Sequence, residues 1–186
     1  MKRIGVVIFL VLMLAGCTGK RDEMDEMMEL RASILGCLEC SFDTAVTADY
    51  GDSLETFSMN CVADGQGNLS FTVIKPESIQ GITGTIREGD GFLTFDDVVL
   101  AIPLLADGQI TPVSAPWILI KTLRSGYLTA CCREDDKIHL TIHDSYADNA
   151  LQLDIWIDED QSPVFADITY DNRRILTMEI ENFSLR

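Results

Sequence analysis

The sequence predicts a mainly β fold with two helices (α+β): a curved antiparallel sheet of about 11 strands covered by an N-terminal helix and a short plug helix. Three observations predict it. Apolar residues recur at three and four spacing in only two places, near residues 24–40 and 115–125. Elsewhere they alternate with a period of two, the signature of a half-buried strand. The alternating runs are separated by hairpin-length turns, which favours antiparallel neighbours.

The elements follow in order. From Met24 to Cys40 the pattern is helical, with Met24, Met27, Met28, Leu30, Ile34, Leu35 and Leu38 on one broad stripe. Acidic residues in its first turn suit the helix dipole. Residues 42–50 and 53–63 read as strands around Gly51-Asp52. Residues 68–75 follow a glycine-rich turn, place Leu69, Phe71 and Val73 on one face, and stop at Pro76. Residues 82–87 and 91–96 flank Glu88-Gly89-Asp90-Gly91, a hairpin signal because glycine supplies positive φ. Residues 97–102 form another short strand, and then Pro103, Pro112 and Pro116 interrupt the pattern.

Ser114 is placed as an N-cap, with Pro116 in the first helical turn. Trp117, Ile118, Leu119, Ile120 and Leu123 make a very apolar helix, and Gly126 stands where a C′ glycine belongs. With only Lys121 and Arg124 charged, this helix must be buried or must cap a hydrophobic opening. Strands resume at 127–133 and 137–143, where Ile138, Leu140 and Ile142 alternate with polar residues. Residues 150–157 put Leu151, Leu153, Ile155 and Ile157 on one face. Residues 164–170 and 174–183 close the chain through a tight Asp171-Asn172 turn. There is no internal repeat.

The N-terminus has a different character. Lys2 and Arg3 precede an apolar run of about 12 residues, Ile4 to Ala15. That is shorter than the roughly 20 residues a membrane-spanning helix needs, and it matches a secretory signal. Leu14-Ala15-Gly16-Cys17 matches the lipobox of bacterial lipoproteins at all four positions. The expected organisation is a signal peptide over 1–16, a lipid-anchored tether over 17–23 and a single domain over 24–186. Cys17 is the expected lipidation site, since its thiolate can receive a diacylglycerol. The expected location is the extracytoplasmic face of the cell membrane, held by this lipid.

Composition narrows the function. The formal charge is −16; without Lys2 and Arg3, 12 basic and 30 acidic residues leave −18. Such a surface repels nucleic acid, so no nucleic-acid partner is expected. Acidic runs such as Glu134-Asp135-Asp136 and Asp158-Glu159-Asp160 fall at turns and read as solvated loops. Five cysteines remain after Cys17: Cys37, Cys40, Cys61, Cys131 and Cys132. Cys37 and Cys40 lie three apart on the predicted helix, a spacing that suits a disulfide or half a zinc site, but no second ligand pair has zinc spacing. The favoured reading is small buried hydrophobes.

The order of elements resembles the LolA/LolB/LppX-like lipoprotein superfamily, in which an N-terminal helix precedes an 11-stranded half-barrel with short helices in its mouth. The segments that carry the resemblance are Leu69 to Pro76, the Pro112 to Gly126 helix, and the closing stretch from Leu151 through Asp167 to Phe183. Within it the chain looks most like clostridial GerS-type germination lipoproteins. That resemblance implies a protein partner, an amidase acting on spore-cortex peptidoglycan. The superfamily resemblance also implies a lipid ligand in the concave face. Its candidate lining is Phe71, Val73, Phe92, Phe95, Trp117, Ile120, Leu153 and Ile155.

No catalytic constellation is visible. There is no Gly-x-Ser-x-Gly elbow, P-loop or His-Glu-x-x-His motif. His139 and His143 share a strand face about 13 Å apart, too far to bind one metal ion unaided, and read as exposed strand histidines. Asp96 and Asp97 are adjacent and so cannot face each other across a substrate. Cys132 would act as a nucleophile only beside a histidine base. The sequence is therefore read as a non-enzyme with no metal and no cofactor beyond the covalent acyl lipid on Cys17. It is either a binding and scaffold module or a carrier of acyl chains.

Overall fold

Alternating residues become eleven hydrogen-bonded strands in one open antiparallel sheet. The computed structural model describes residues 23–95, 98–102, 105–106, 109–147 and 149–186. The signal segment, Cys17, the tether up to residue 22, and the Asp96-Asp97 pair lie outside the described residues.

Helix α1 spans Glu23–Gly36. Strands β1 (Glu39–Asp49), β2 (Leu54–Asp64), β3 (Leu69–Lys75), β4 (Thr83–Arg87), β5 (Asp90–Phe95) and β6 (Val98–Ile102) follow. A small ribbon, β7 (Leu105–Ala106) with β8 (Gln109–Ile110), comes next, then helix α2 (Ala115–Ser125). Strands β9 (Tyr127–Glu134), β10 (Lys137–His143), β11 (Gln152–Ile157), β12 (Pro163–Tyr170) and β13 (Arg173–Leu185) complete the chain. The sheet order is β6-β5-β4-β3-β2-β1-β13-β12-β11-β10-β9. Two meanders thus meet where the first strand pairs with the last, from Cys40↔Leu185 to Ala48↔Leu176. The chain must pass from the β6 edge to the β9 edge, and α2 lies on that path. This is the expected half-barrel with its two helices. The β7–β8 ribbon inside the proline-rich stretch was not expected.

Turn chemistry fixes the hairpins. Glu88 and Gly89 both have positive φ (51° and 94°), as do Asp171 and Asn172 (50° and 57°), the conformation of two-residue hairpin loops. Between β2 and β3, Asp64 Oδ1 accepts the backbone N–H groups of Gln66 and Asn68, both at 2.9 Å. Its Oδ2 accepts Asn68 Nδ2 at 2.8 Å. Burial raises the Asp64 pKa, but these hydrogen bonds outweigh it and the net shift is downward.

Inward residues of the sheet and both helices form one core. Phe42, Val46, Met59, Phe71, Val73, Leu140, Leu153, Ile155, Ile168 and Met178 pack with Met27, Leu30 and Ile34 of α1 and Leu119, Ile120 and Leu123 of α2. Burying each large apolar side chain contributes about 1.5–3 kcal/mol. Helix α1 corrects the expected stripe: Met27, Leu30 and Ile34 are buried, whereas Met24, Met28, Leu35 and Leu38 are exposed. A single line of contact at i, i+3 and i+7 is narrower than the apolar run.

The helix also ends sooner than expected. It stops at Gly36, and Leu38 N–H donates to Arg186 C=O at 2.7 Å, beginning the β1–β13 pairing. Glycine is a poor helix former, and the strand ladder takes over the chain. Cys37 therefore follows the helix and Cys40 lies in β1, so the helical Cys37/Cys40 pair does not exist. No disulfide joins the five described cysteines.

Both predicted caps of α2 are corrected. Ser114 makes no side-chain cap; its Oγ donates to Thr111 C=O at 2.6 Å within a 3-10 turn, Pro112–Ser114. Gly126 is extended (φ −71°), not left-handed. Glycine is needed there for space, because a Cβ would come within 2.5 Å of Ile142 Cγ2. Among the described residues no helix is long and apolar enough to cross a membrane.

Candidate functional site

Two regions carry candidate chemistry: the interior beneath the helices and the outer face of β9–β11. In the interior, the lining residues expected for a lipid cavity are distributed unevenly. Phe71, Val73, Ile120, Leu153 and Ile155 are 0–3% exposed and packed into the core. Trp117 is half-buried against that core, with Lys121 Nζ 5.2 Å from its ring centroid. Phe92 points outward and is 38% exposed, because the period of two turns Gly91 and Leu93 inward instead. The Phe95 side chain lies outside the described residues.

The helices are tied to each other by two arginines that sequence reading passed over. Arg31 of α1 donates to Leu123 C=O at 2.8 Å and Gly126 C=O at 3.0 Å, at the end of α2. Arg124 of α2 donates to Ile34 C=O at 3.0 Å, at the end of α1, and to Gly65 C=O at 2.8 Å. Arg31 thus satisfies carbonyls at the end of α2, and Arg124 one at the end of α1 together with one in the β2–β3 turn. Burial lowers the Arg31 pKa, yet guanidinium stays charged at any ordinary pH. Beside α2 lies an apolar recess of about 130 Å³, lined by Ile110, Trp117, Ile118, Lys121, Thr122, Asp144 and Leu151. Thr122 is buried, and its Oγ1 has no hydrogen-bond partner among the described residues.

The buried thiols are inert. Burial pushes Cys40 up to about 12, with nearby Cys37 adding to the rise. Burial pushes Cys61 higher still. Neither forms a thiolate readily, which fits the expectation of small buried hydrophobes for these two.

The outer face differs. His139 is not an exposed strand histidine, since its side chain is only 19% accessible. Its Nδ1 lies 2.9 Å from Glu134 Oε1 on β9, and its Nε2 lies 3.1 Å from Asp154 Oδ1 on β11. Trp156 stacks on the imidazole at 4.5 Å with a 1° interplanar angle, and Phe165 meets Trp156 edge-on at 5.3 Å. The indole N–H of Trp156 donates to Glu134 Oε2 at 2.9 Å. That bond first, and the His139 contact second, hold the Glu134 carboxyl below its usual range. Asp154 is fixed in turn: Thr141 Oγ1 donates to Oδ1 at 2.8 Å, and Gln152 Nε2 to Oδ2 at 2.7 Å. Cys132 stands directly opposite His139 in the β9–β10 register. Donor atoms of Cys132, Glu134 and His139 all lie within 4.8 Å of one another. His143 continues along the same strand.

This cluster was missed because its members come from three strands. One signal was available: a two-residue Asp135-Asp136 turn pairs Glu134 with Lys137 and therefore Cys132 with His139.

No family model matches the chain, and no curated protein matches it. Several solved structures are similar in chain path. An uncharacterized conserved protein from Thermus thermophilus is 11% identical, with a TM-score of 0.49, over 89% of this chain and 88% of that one. A LolA superfamily protein from Nitrosomonas europaea is 10% identical, with a TM-score of 0.45, over 86% and 93%. The Mycobacterium tuberculosis lipoprotein LppX is 14% identical, with a TM-score of 0.42, over 87% and 92%. The structural neighbours thus include the superfamily that the sequence resembles. At such identities the likeness is one of chain path and not of ligand.

Proposed function

We propose that this protein is a lipid-anchored envelope lipoprotein whose half-barrel acts as a non-catalytic binding module. Cys17 in the Leu14-Ala15-Gly16-Cys17 lipobox supplies the anchor and sets the domain at the extracytoplasmic membrane face. The observation that carries the module reading is the filled interior. A channel wide enough for an acyl chain would leave accessible surface on its walls. Phe71, Val73, Ile120, Leu153 and Ile155 have almost none, at 0–3%. Ligand pockets for small molecules run to about 300–1,000 Å³; the apolar recess beside Trp117 holds about 130 Å³, and the larger hollow at Trp117, about 630 Å³, is a surface groove edged by Gln66, Asn68, Glu88, Lys121 and Arg124 rather than an enclosed apolar channel. The work of the domain then falls to its surface. Following the GerS-type resemblance, the partner is a peptidoglycan-processing enzyme of the spore cortex, engaged without chemistry by this chain.

Native mass spectrometry of residues 18–186, secreted without the lipidation cysteine and purified without detergent, tests this reading. A bare polypeptide mass that persists after challenge with phospholipid is expected. One extra lipid mass per chain would overturn the module in favour of an acyl-chain carrier. Loss of membrane association in a full-length Cys17→Ala variant checks the anchor.

A further inference from the structure

We propose that Cys132, Glu134 and His139 form a three-ligand Zn²⁺ site on the outer face of the sheet. Three observations carry it. The donor set is a thiol, an imidazole and a carboxylate, the three ligand types that zinc takes in proteins. The three donor atoms lie within 4.8 Å of one another. Ligand atoms around a tetrahedral zinc stand roughly 3.3–3.7 Å apart at the usual bond lengths. Cys132 and Glu134 are exposed, so small rotations of their side chains close the remaining gap.

The third observation is the support behind the ligands. A zinc-bound histidine characteristically donates its other ring N–H to a carboxylate, which fixes its tautomer and orientation. Here Nδ1 faces β9, which carries Cys132 and Glu134, while Nε2 faces Asp154 on β11. Asp154 is itself held by Thr141 and Gln152. Glu134 has one oxygen on the Trp156 indole N–H, and its Oε1 stands 2.9 Å from His139 Nδ1, so an ion between them would replace that one contact.

In this arrangement a zinc ion on Nδ1 takes the Glu134 side of the ring and leaves Nε2 to Asp154. Binding releases the Cys132 thiol proton to solvent and makes a Zn–S bond with no change of oxidation state. Three protein ligands leave the fourth tetrahedral position to water.

The test is a Co²⁺ titration of the full-length chain, purified in detergent, reduced and free of chelator. One equivalent is expected to bind, with a thiolate-to-cobalt charge-transfer band and the visible bands of a tetrahedral ion, both removed by one equivalent of Zn²⁺. Cys132→Ser should abolish the charge-transfer band, and Cys131→Ser should keep it. Asp154→Asn, which touches no metal, should weaken Zn²⁺ binding about 10–100-fold. Circular dichroism of each variant checks the fold. Weak binding of several ions without a thiolate band, as an acidic surface alone would give, would overturn the site. So would a thiolate band that survives in folded Cys132→Ser.

Discussion

Strand β10 separates two kinds of cohesion. Its inward residues Ile138, Leu140 and Ile142 are buried in the core, whereas His139 and Thr141, on the opposite face, join a network of directional hydrogen bonds. The inner face is held mainly by packing, which tolerates other apolar neighbours if volume is conserved. The outer face is held by specific atoms at specific distances, and depends on each partner being present. The difference teaches where function can be sought. A face filled by its own side chains has little room for a ligand, while a polar network with unshared donor atoms has something to offer one.

The inner side also has directional bonds, and breaking those of the two arginines should give the largest effect. Arg31 caps α2 through two carbonyl bonds, and Arg124 caps α1 through one and ties it to the β2–β3 turn through Gly65 C=O. Hydrogen bonds to charged groups contribute about 1.5–3 kcal/mol, and the stranded carbonyls add to the loss. Arg31→Met or Arg124→Met should each cost about 2–3 kcal/mol in urea denaturation. The double variant should cost less than the sum, because both arginines hold the same helix pair. Losses under about 0.5 kcal/mol, the usual range for surface substitutions, would mean that packing alone seats the helices.

A smaller effect probes the packing itself. A Cβ on Gly84 would lie 2.2 Å from Phe71 Cζ, across the β3–β4 pair. Gly84→Ala should therefore cost about 1–3 kcal/mol by overpacking. Adding Phe71→Leu should recover part of that loss by making room. If Gly84→Ala is neutral, the inner face is looser than its burial implies, and the acyl-carrier reading gains. Ser70→Ala, on the exposed side of β3, is the control and should change stability by less than about 0.5 kcal/mol.

The same contrast explains what the sequence could convey. A period of two locates the central strands such as β1, β3, β10 and β11, because burying one face imposes it on each residue in turn; the edge strand β9, with no buried residue, is placed by its turns. Spacing of three and four locates α2, whose polar side is only Lys121, Arg124 and Ser125. Apolar patterning fails at α1, where methionines on the exposed side mimic a core stripe, and at Phe92, which sits in an apolar run but points out. The outer cluster has no period at all. Cys132, His139, Asp154 and Trp156 are brought together by register across three strands. The hydrophobic pattern fixes which face each strand buries, but the residue-by-residue partners also depend on turns and bulges, such as the shift between Thr141 and Ile142, which that pattern does not record. The arginine caps are hidden for a related reason, since their bonds join residues 59 to 95 positions apart.

The smallest expected effect is a pH dependence confined to the outer face. Glu134 titrates below its ordinary 4.5 because Trp156 and His139 bond its charged form. A carboxylate with a depressed folded pKa stabilises the fold fully above its unfolded value, and this contribution fades as pH falls through the folded one. Urea midpoints of the wild type should therefore drop more steeply below pH 4.5 than those of Glu134→Gln, while the two run parallel above it. Asp64, also depressed, titrates in both proteins and cancels from the comparison. Trp156→Phe removes the indole donor but keeps a ring to stack on His139, and should flatten the acid slope part of the way toward Glu134→Gln, because the His139 contact still holds the carboxylate. Equal slopes in all three would mean that the indole and imidazole contacts do not persist in solution, and the preorganisation on which an outer-face ligand depends would be lost with them.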